Sequence, residues 1–210
     1  MALVDKLLLW WHRRKTRAKM QRVFSRGQDP FHYDSGSPYE KERLAAMEAA
    51  LDGRKFDDAL EIGCAEGSFS ERLAKAAARL TAVDISAVAL ERAQKRLEKA
   101  KHVSFVETDV RDWTPGAGCR YDLIVLGDVL YYLDKPLVRA AFEETFPRVA
   151  SWLKPGGRLM LAHGFAGPQE LAHRTSFRER FEAQGLKLVS ERAVGPETGT
   201  VRCLICVLSK

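Results

Sequence analysis

Apolar positions recur along this chain in two rhythms, helical spacing and short continuous runs, and the two take turns. Leu3 to Phe24 has helical spacing, with Leu3, Leu7 and Trp10 beside Val4, Leu8 and Trp11 in one apolar stripe. Residues 27–38 (GQDPFHYDSGSP) are rich in Gly, Pro, Asp and Ser and read as a loop. A helix is expected from Pro38, capped by Ser37 and closed into a capping box by Glu40. Leu44, Met47 and Leu51 share one face of it, and Gly53 stops it.

Beyond residue 57 strand and helix alternate. Strands are expected at residues 59–62, 80–85, 103–107, 121–126, 157–163, 186–194 and 201–208. Helices are expected from Ser68 to about Ala78, where Ser68 and Glu71 form a second capping box, and through Leu90, Ala93, Leu97 and Ala100. Two more run over 136–153, interrupted by Pro147, and over 168–184, ended by Gly185. This order predicts an α/β fold with a doubly wound, mostly parallel sheet. The last two strands are joined only through the turn at 195–199, too short for a parallel crossover, so they must pair antiparallel. Three segments follow: a basic amphipathic helix over 1–26, a loop and cap helix over 27–54, and the sheet domain over 55–210.

The formal charge of +6 is unevenly placed: residues 1–26 carry a net +7 and the rest a net −1. The body is not basic, so the charge speaks for the arm and not the fold. Three roles fit such an arm: packing on its own domain or on the second subunit of a homodimer, peripheral contact with an anionic membrane through residues 3–26, or a nucleic-acid arm. The last is the weakest, because no aromatic-rich basic surface accompanies it. The four cysteines suit a reducing cytoplasm, or the inner face of its membrane. Cys203 and Cys206 sit three apart in a strand and so face opposite ways, which disfavours a shared metal, and no metal site is expected. No secretory signal is expected: the apolar run Leu7 to Trp11 is short and its charges follow it.

The chemistry gathers at strand ends. After the first strand comes Leu60-Glu-Ile-Gly-Cys-Ala-Glu-Gly-Ser-Phe69. Small residues at Gly63, Ala65 and Gly67 let backbone approach a ligand closely, and a following helix would aim its free N–H groups there. A dinucleotide-binding loop would read G-x-G-x-x-G, whereas here the spacing is two and two with alanine in the middle. Asp84 ends the second strand, 21 positions after Gly63, where a carboxylate accepts both ribose hydroxyls of an adenosine. At the third strand end, Asp109 can accept from an adenine amino group and the Val110 amide can donate to a ring nitrogen. Ile85 and Trp113 supply apolar walls. Asp128, beside Tyr131 and Tyr132 at the fourth strand end, suits a polar acceptor, and His163 on the fifth is a second candidate base.

In the order LEIGCAEGSFS, VDIS, ETDV, DLIVLGDVLYYL and LKPGGRLMLAHG, these motifs resemble the class I S-adenosylmethionine-dependent methyltransferases. The resemblance covers about residues 57–165. It implies a Rossmann-like sheet of order 3-2-1-4-5-7-6 with the last strand antiparallel and an N-terminal helical cap. It also implies S-adenosyl-L-methionine as cofactor, with Glu61, Gly63, Ala65 and Gly67 at its methionine end, Asp84 at the ribose, and Asp109 and Val110 at the adenine. A narrower resemblance, to the NodS-type nodulation methyltransferases, rests on Asp29-Pro-Phe31, Tyr39-Glu-Lys-Glu-Arg43, Ala59 to Ala65, and Val129-Leu-Tyr-Tyr-Leu133. That family N-methylates a free amino sugar at the end of a chito-oligosaccharide. The resemblance implies that residues 27–45 fold over the cofactor, with Arg43 near its carboxylate. It makes the expected acceptor a small polar molecule, an amino or hydroxyl group of a saccharide or glycolipid. Asp128 stands where that family is expected to carry Glu, and the basic arm is a second departure. Two rivals share the fold, an RNA methyltransferase and a non-catalytic cofactor binder. The first lacks an Asn/Asp-Pro-Pro-aromatic loop after strand four, and the acids at three strand ends speak against the second.

Overall fold

The computed structural model describes residues 3–35, 37–116, 118–196 and 201–210. Seven strands form one sheet: β1 (Phe56–Ile62), β2 (Ala77–Asp84), β3 (Val103–Glu107), β4 (Tyr121–Gly127), β5 (Leu153–Phe165), β6 (Lys187–Val194) and β7 (Arg202–Ser209). Their order is β3-β2-β1-β4-β5-β7-β6, and only β7 runs antiparallel to its neighbours. Of the turn expected at 195–199, residues 197–199 lie outside the described part.

Alternation along the strands splits the core into two layers. Leu60, Ile62, Ile124, Leu126, Leu159 and Leu161 face one side. There they meet α5 (Leu130–Leu133), α6 (Arg139–Glu143), α7 (Thr145–Ser151) and α8 (Gly167–Glu182), through Leu130, Phe142, Phe146, Phe177 and Phe181 among others. Ala59, Leu123, Val125, Met160 and Ala162 face the other side, under Leu44 and Met47 of α2 (Pro38–Ala49) and Leu73 of α3 (Ser70–Leu73). Cys203 belongs to the second layer and Cys206 to the first, as opposite-facing strand positions must.

Three local expectations are corrected. The helix expected through Ala78 is the single turn α3, because Ala77 is already paired with Phe56 in the β1–β2 ladder. Pairing to a neighbouring strand outweighs the helix preference of an alanine-rich stretch. Neither capping box forms: Ser37 makes no side-chain cap, Glu40 turns to Arg43, and Ser68 instead donates to Asp34. The real side-chain cap is Ser86, whose hydroxyl accepts from the Ala89 amide at the start of α4 (Ala87–Arg96).

The third correction concerns α1 (Leu3–Ser25). Val4, Leu7, Trp10 and Trp11 form the apolar stripe for which packing on its own domain was one of three roles, and they are 65%, 64%, 49% and 45% exposed. The buried positions are Leu9, Met20 and Phe24. This face crosses the carboxyl ends of β2 and β3, where Arg13 pairs with Asp112 and Arg17 with Glu107 at 3.0 Å. Gln21 accepts from the Ser86 hydroxyl at 3.0 Å. Much of the basic arm is therefore packed on its own body. The loop after α1 is strapped down as well: Glu66 accepts from the Asp29 amide at 2.8 Å, and Arg92 donates to the Gly27 carbonyl.

Candidate active site

At the carboxyl ends of β1, β2 and β4 the strands open onto a cavity of about 250 Å³. Its floor is Gly63, Ala65, Asp84, Ile85, Asp109 and Val110. One end is Asp128, Tyr131 and Tyr132. Its roof comes from the first 40 residues: Thr16, Met20 and Phe24 of α1, Phe31 and Tyr33 of the loop, and Tyr39 and Glu40 of α2. The resemblance had residues 27–45 folding over this end of the sheet, but Thr16, Met20 and Phe24 of α1 were not singled out from sequence. The signal available was the spacing of Thr16, Met20 and Phe24 at every fourth position.

The turn after β1 is held open by backbone that side chains resist. Gly63 has φ +84°, and a Cβ there would lie 2.2 Å from a Val129 methyl carbon and 3.0 Å from the Gly127 carbonyl oxygen. Ala65 also has positive φ, at +48°. Gly67 does not line the cavity: a Cβ on it would meet Ala93 and Leu97, so its place is set by packing on α4. Asp84 is buried, and its two carboxylate oxygens accept from the Ala65 amide at 3.0 Å and the Ser86 amide at 2.8 Å. Asp84 also lines the cavity, so its carboxylate is within reach of a bound diol. Burial raises its pKa, offset in part by the backbone amides of Ser86, Ala65 and Ile85.

Asp109 lines the cavity floor but is largely engaged. Its Oδ1 accepts from the Arg111 amide and Nε, and its Oδ2 from Arg111 Nη2 at 2.6 Å. Burial pushes the Asp109 carboxyl up, and Arg111 more than reverses this, so it stays ionised. Arg111 in turn reaches His12 of α1 at 2.9 Å, a link sequence reasoning missed.

Glu61 lies behind the turn and does not line the main cavity. Burial pushes its carboxyl up to about 7, against the Ser70 hydroxyl that donates to it at 2.5 Å. Arg43, which lines the small pocket behind the turn and not the main cavity, is buried and donates from Nη2 to Asp128 at 2.6 Å and from Nη1 to Glu40 at 3.1 Å. Its Nε is buried without a hydrogen-bond partner. Asp128 has φ +51°, and its other oxygen accepts from the Gly164 amide at 2.8 Å. Burial would raise this carboxyl, but Arg43 holds it below its ordinary value. Tyr131 donates to Asp128, and burial keeps its phenol protonated.

His163 is placed differently from the expectation. It is 2% exposed, lies outside the cavity wall, and packs edge-on between Tyr131 and Phe177. Its Nε2 accepts from the Leu130 amide at 3.4 Å. Burial lowers its pKa to about 3, so it is a neutral structural ring and not a base facing an acceptor. Among the described residues no group of His, Cys, Asp or Glu is arranged for a metal ion.

The family model for nodulation protein S (NodS) matches residues 16–167, which takes in the roof, the turn, the acids and β5. The chain belongs to the NodS family. This NodS-family chain is 37% identical over 133 residues to nodulation protein S of Rhizobium tropici, covering 63% of this chain and 53% of that protein. Against nodulation protein S of Sinorhizobium fredii it is 34% identical over 134 residues, 63% of this chain and 59% of that one. The chain spans about half the length of the curated relatives it matches. The crystal structure of N-methyltransferase NodS from Bradyrhizobium japonicum WM9, in complex with S-adenosyl-L-homocysteine, superposes with a TM-score of 0.78. Identity there is 26%, over 93% of this chain and 98% of that one. Sheet order and family together make this NodS-type fold a class I methyltransferase fold.

Proposed function

We propose that this chain transfers a methyl group from S-adenosyl-L-methionine to the amino group of a saccharide. Residues 1–26 and 27–54 serve as cap and residues 55–210 as the cofactor-binding domain. The observation that carries the reading is convergence: Ala65, Asp84, Asp109 and Asp128, far apart in sequence, meet on one cavity beneath a shared roof. The residues suit the cofactor. Asp84 offers paired acceptors for a ribose diol, and the unpartnered Nε of buried Arg43 offers a donor for an amino-acid carboxylate. When bound, the cofactor supplies a methyl already activated by positively charged sulfur.

The chain's own part is then positioning and water exclusion. Tyr33, Tyr39, Tyr131 and Tyr132 close the acceptor end. Asp128 and Glu40 give that end carboxylates that orient an ammonium or sulfonium group, with Arg43 fixing Asp128. Amine over hydroxyl follows from the absence of a free near-neutral base among the described residues lining the cavity: His163 is sequestered, and Asp128 is a weak, arginine-bound carboxylate. An amine near neutrality attacks as its free base, so its remaining proton can leave to Asp128 or water afterwards. A hydroxyl needs stronger help. The free thiols of Cys64, Cys119, Cys203 and Cys206 fit a cytoplasmic setting.

The test is incubation with methyl-labelled cofactor and a panel of free amino sugars, their N-acetylated forms, chito-oligosaccharides and RNA. Label should enter only acceptors with a free amine. Label in RNA, or in N-acetylated and free sugars alike, would refute the acceptor assignment.

A further inference from the structure

The outward side of α1 has no partner within the fold, and its chemistry is divided along its length. At about 100° per residue, Val4, Leu7 and Trp11 fall nearly opposite the buried Leu9 and Met20. Trp10 flanks them. All four are exposed, and they occupy the first half of the helix. The same outward line continues into Arg14, Lys15 and Arg22, exposed bases that face no carboxylate of the sheet domain among the described residues. Lys15 stands 3.6 Å over the Trp11 ring and Arg14 lies 4.9 Å from the Trp10 ring centroid, so cationic heads and indoles share one surface. The helix is too charged to cross a bilayer.

We propose that this face of α1 docks on an anionic lipid bilayer, with α1 lying in the plane of the interface. Indole rings suit the headgroup level, where one edge is wet and the other apolar. Lysine and arginine beside them suit the negative surface of anionic lipid. The bases that pair inward, Arg13 and Arg17, are spent on Asp112 and Glu107, whereas those pointing outward are left for a partner. Charge complementarity therefore selects an anionic surface over a neutral one. The helix that touches lipid on one side is also the helix whose Thr16, Met20 and Phe24 wall the cavity on the other, so docking would place α1 between the bilayer and the cavity. The docking itself stands apart from the methyl-transfer reading.

Co-sedimentation of the full chain with vesicles tests it, using phosphatidylglycerol-rich and pure phosphatidylcholine vesicles. Expected are at least tenfold tighter binding to the anionic vesicles, a blue shift of tryptophan emission on binding, and loss of most binding in a Trp10→Ala/Trp11→Ala variant. An Arg14→Glu/Lys15→Glu variant should lose binding while the thermal transition stays put, since all four side chains are exposed. Equal binding to both vesicle types, no binding to either, or full retention by the Trp variant would overturn it. So would a wild-type dimer in solution that the Trp variant abolishes, which would assign the face to a second copy. Tighter binding to RNA than to vesicles, dependent on the same bases, would do likewise.

Discussion

Single residues set the site's tolerance. Gly63 combines a left-handed backbone with a Cβ position already filled by Val129. Gly63→Ala should therefore cost about 2–5 kcal/mol in urea unfolding, with S-adenosylhomocysteine binding lost by calorimetry. Asp84 has a double duty, since its carboxylate also satisfies two amides of the turn and of α4. Asp84→Ala should abolish that binding and lower stability by about 1–3 kcal/mol. Unchanged binding heat would remove Asp84 from the ribose. The acids and small residues of the floor were legible in the sequence because each sits within a few positions of its strand end. Arg43 could be placed only by resemblance, and its grip on Asp128, 85 positions away, was not legible at all. His163 misled for a related reason. A histidine at a strand end looks available until the faces of Tyr131 and Phe177 are known to cover it.

At the scale of elements, patterns fixed where strands and helices lie better than which way they face. All seven strands and the antiparallel last pair were expected from alternation with helices and one short final turn, and their order from the family resemblance. The facing of α1 was left open. Its most apolar positions point outward and its buried face mixes Leu9, Thr16, Met20 and Phe24 with inward-pairing arginines, so apolarity alone could not choose the side. If α1 is a wall of the cavity, Phe24→Ala should cost about 2–4 kcal/mol and weaken S-adenosylhomocysteine at least tenfold. Far-ultraviolet circular dichroism should not change. Unaltered affinity would mean that the roof is dispensable.

For the whole molecule, two buried groups tilt stability with pH in opposite senses. Glu61 is raised from 4.5 to about 7 in the fold, so the folded state holds its proton more tightly than the unfolded chain. Its contribution is complete below pH 4.5 and is lost as pH rises towards 7. His163 is lowered from 6.5 to about 3, so the unfolded chain binds its proton more readily. Its contribution is complete above pH 6.5 and is lost as pH falls towards 3. Each slope is about 1.4 kcal/mol per pH unit where that group alone titrates between states. Between pH 4.5 and 6.5 the two slopes offset. Relative to the unaltered chain, Glu61→Gln should make stability climb with pH across this window, and His163→Gln should make it fall. Urea titrations at half-unit steps would check both, and parallel curves for all three proteins would contradict the burial of both groups.

The ties that hold α1 across the strand ends span great stretches of chain: His12 to Arg111 is 99 residues and Arg17 to Glu107 is 90. Within this sequence the helix precedes the groups that anchor it by nearly half of the 210 residues. Contacts of such long loop closure form late. Until β3 and the turn beyond it are in place, nothing holds α1 across the strand ends at His12 or Arg17. The roof of the pocket therefore waits on contacts that close loops of 90 residues or more.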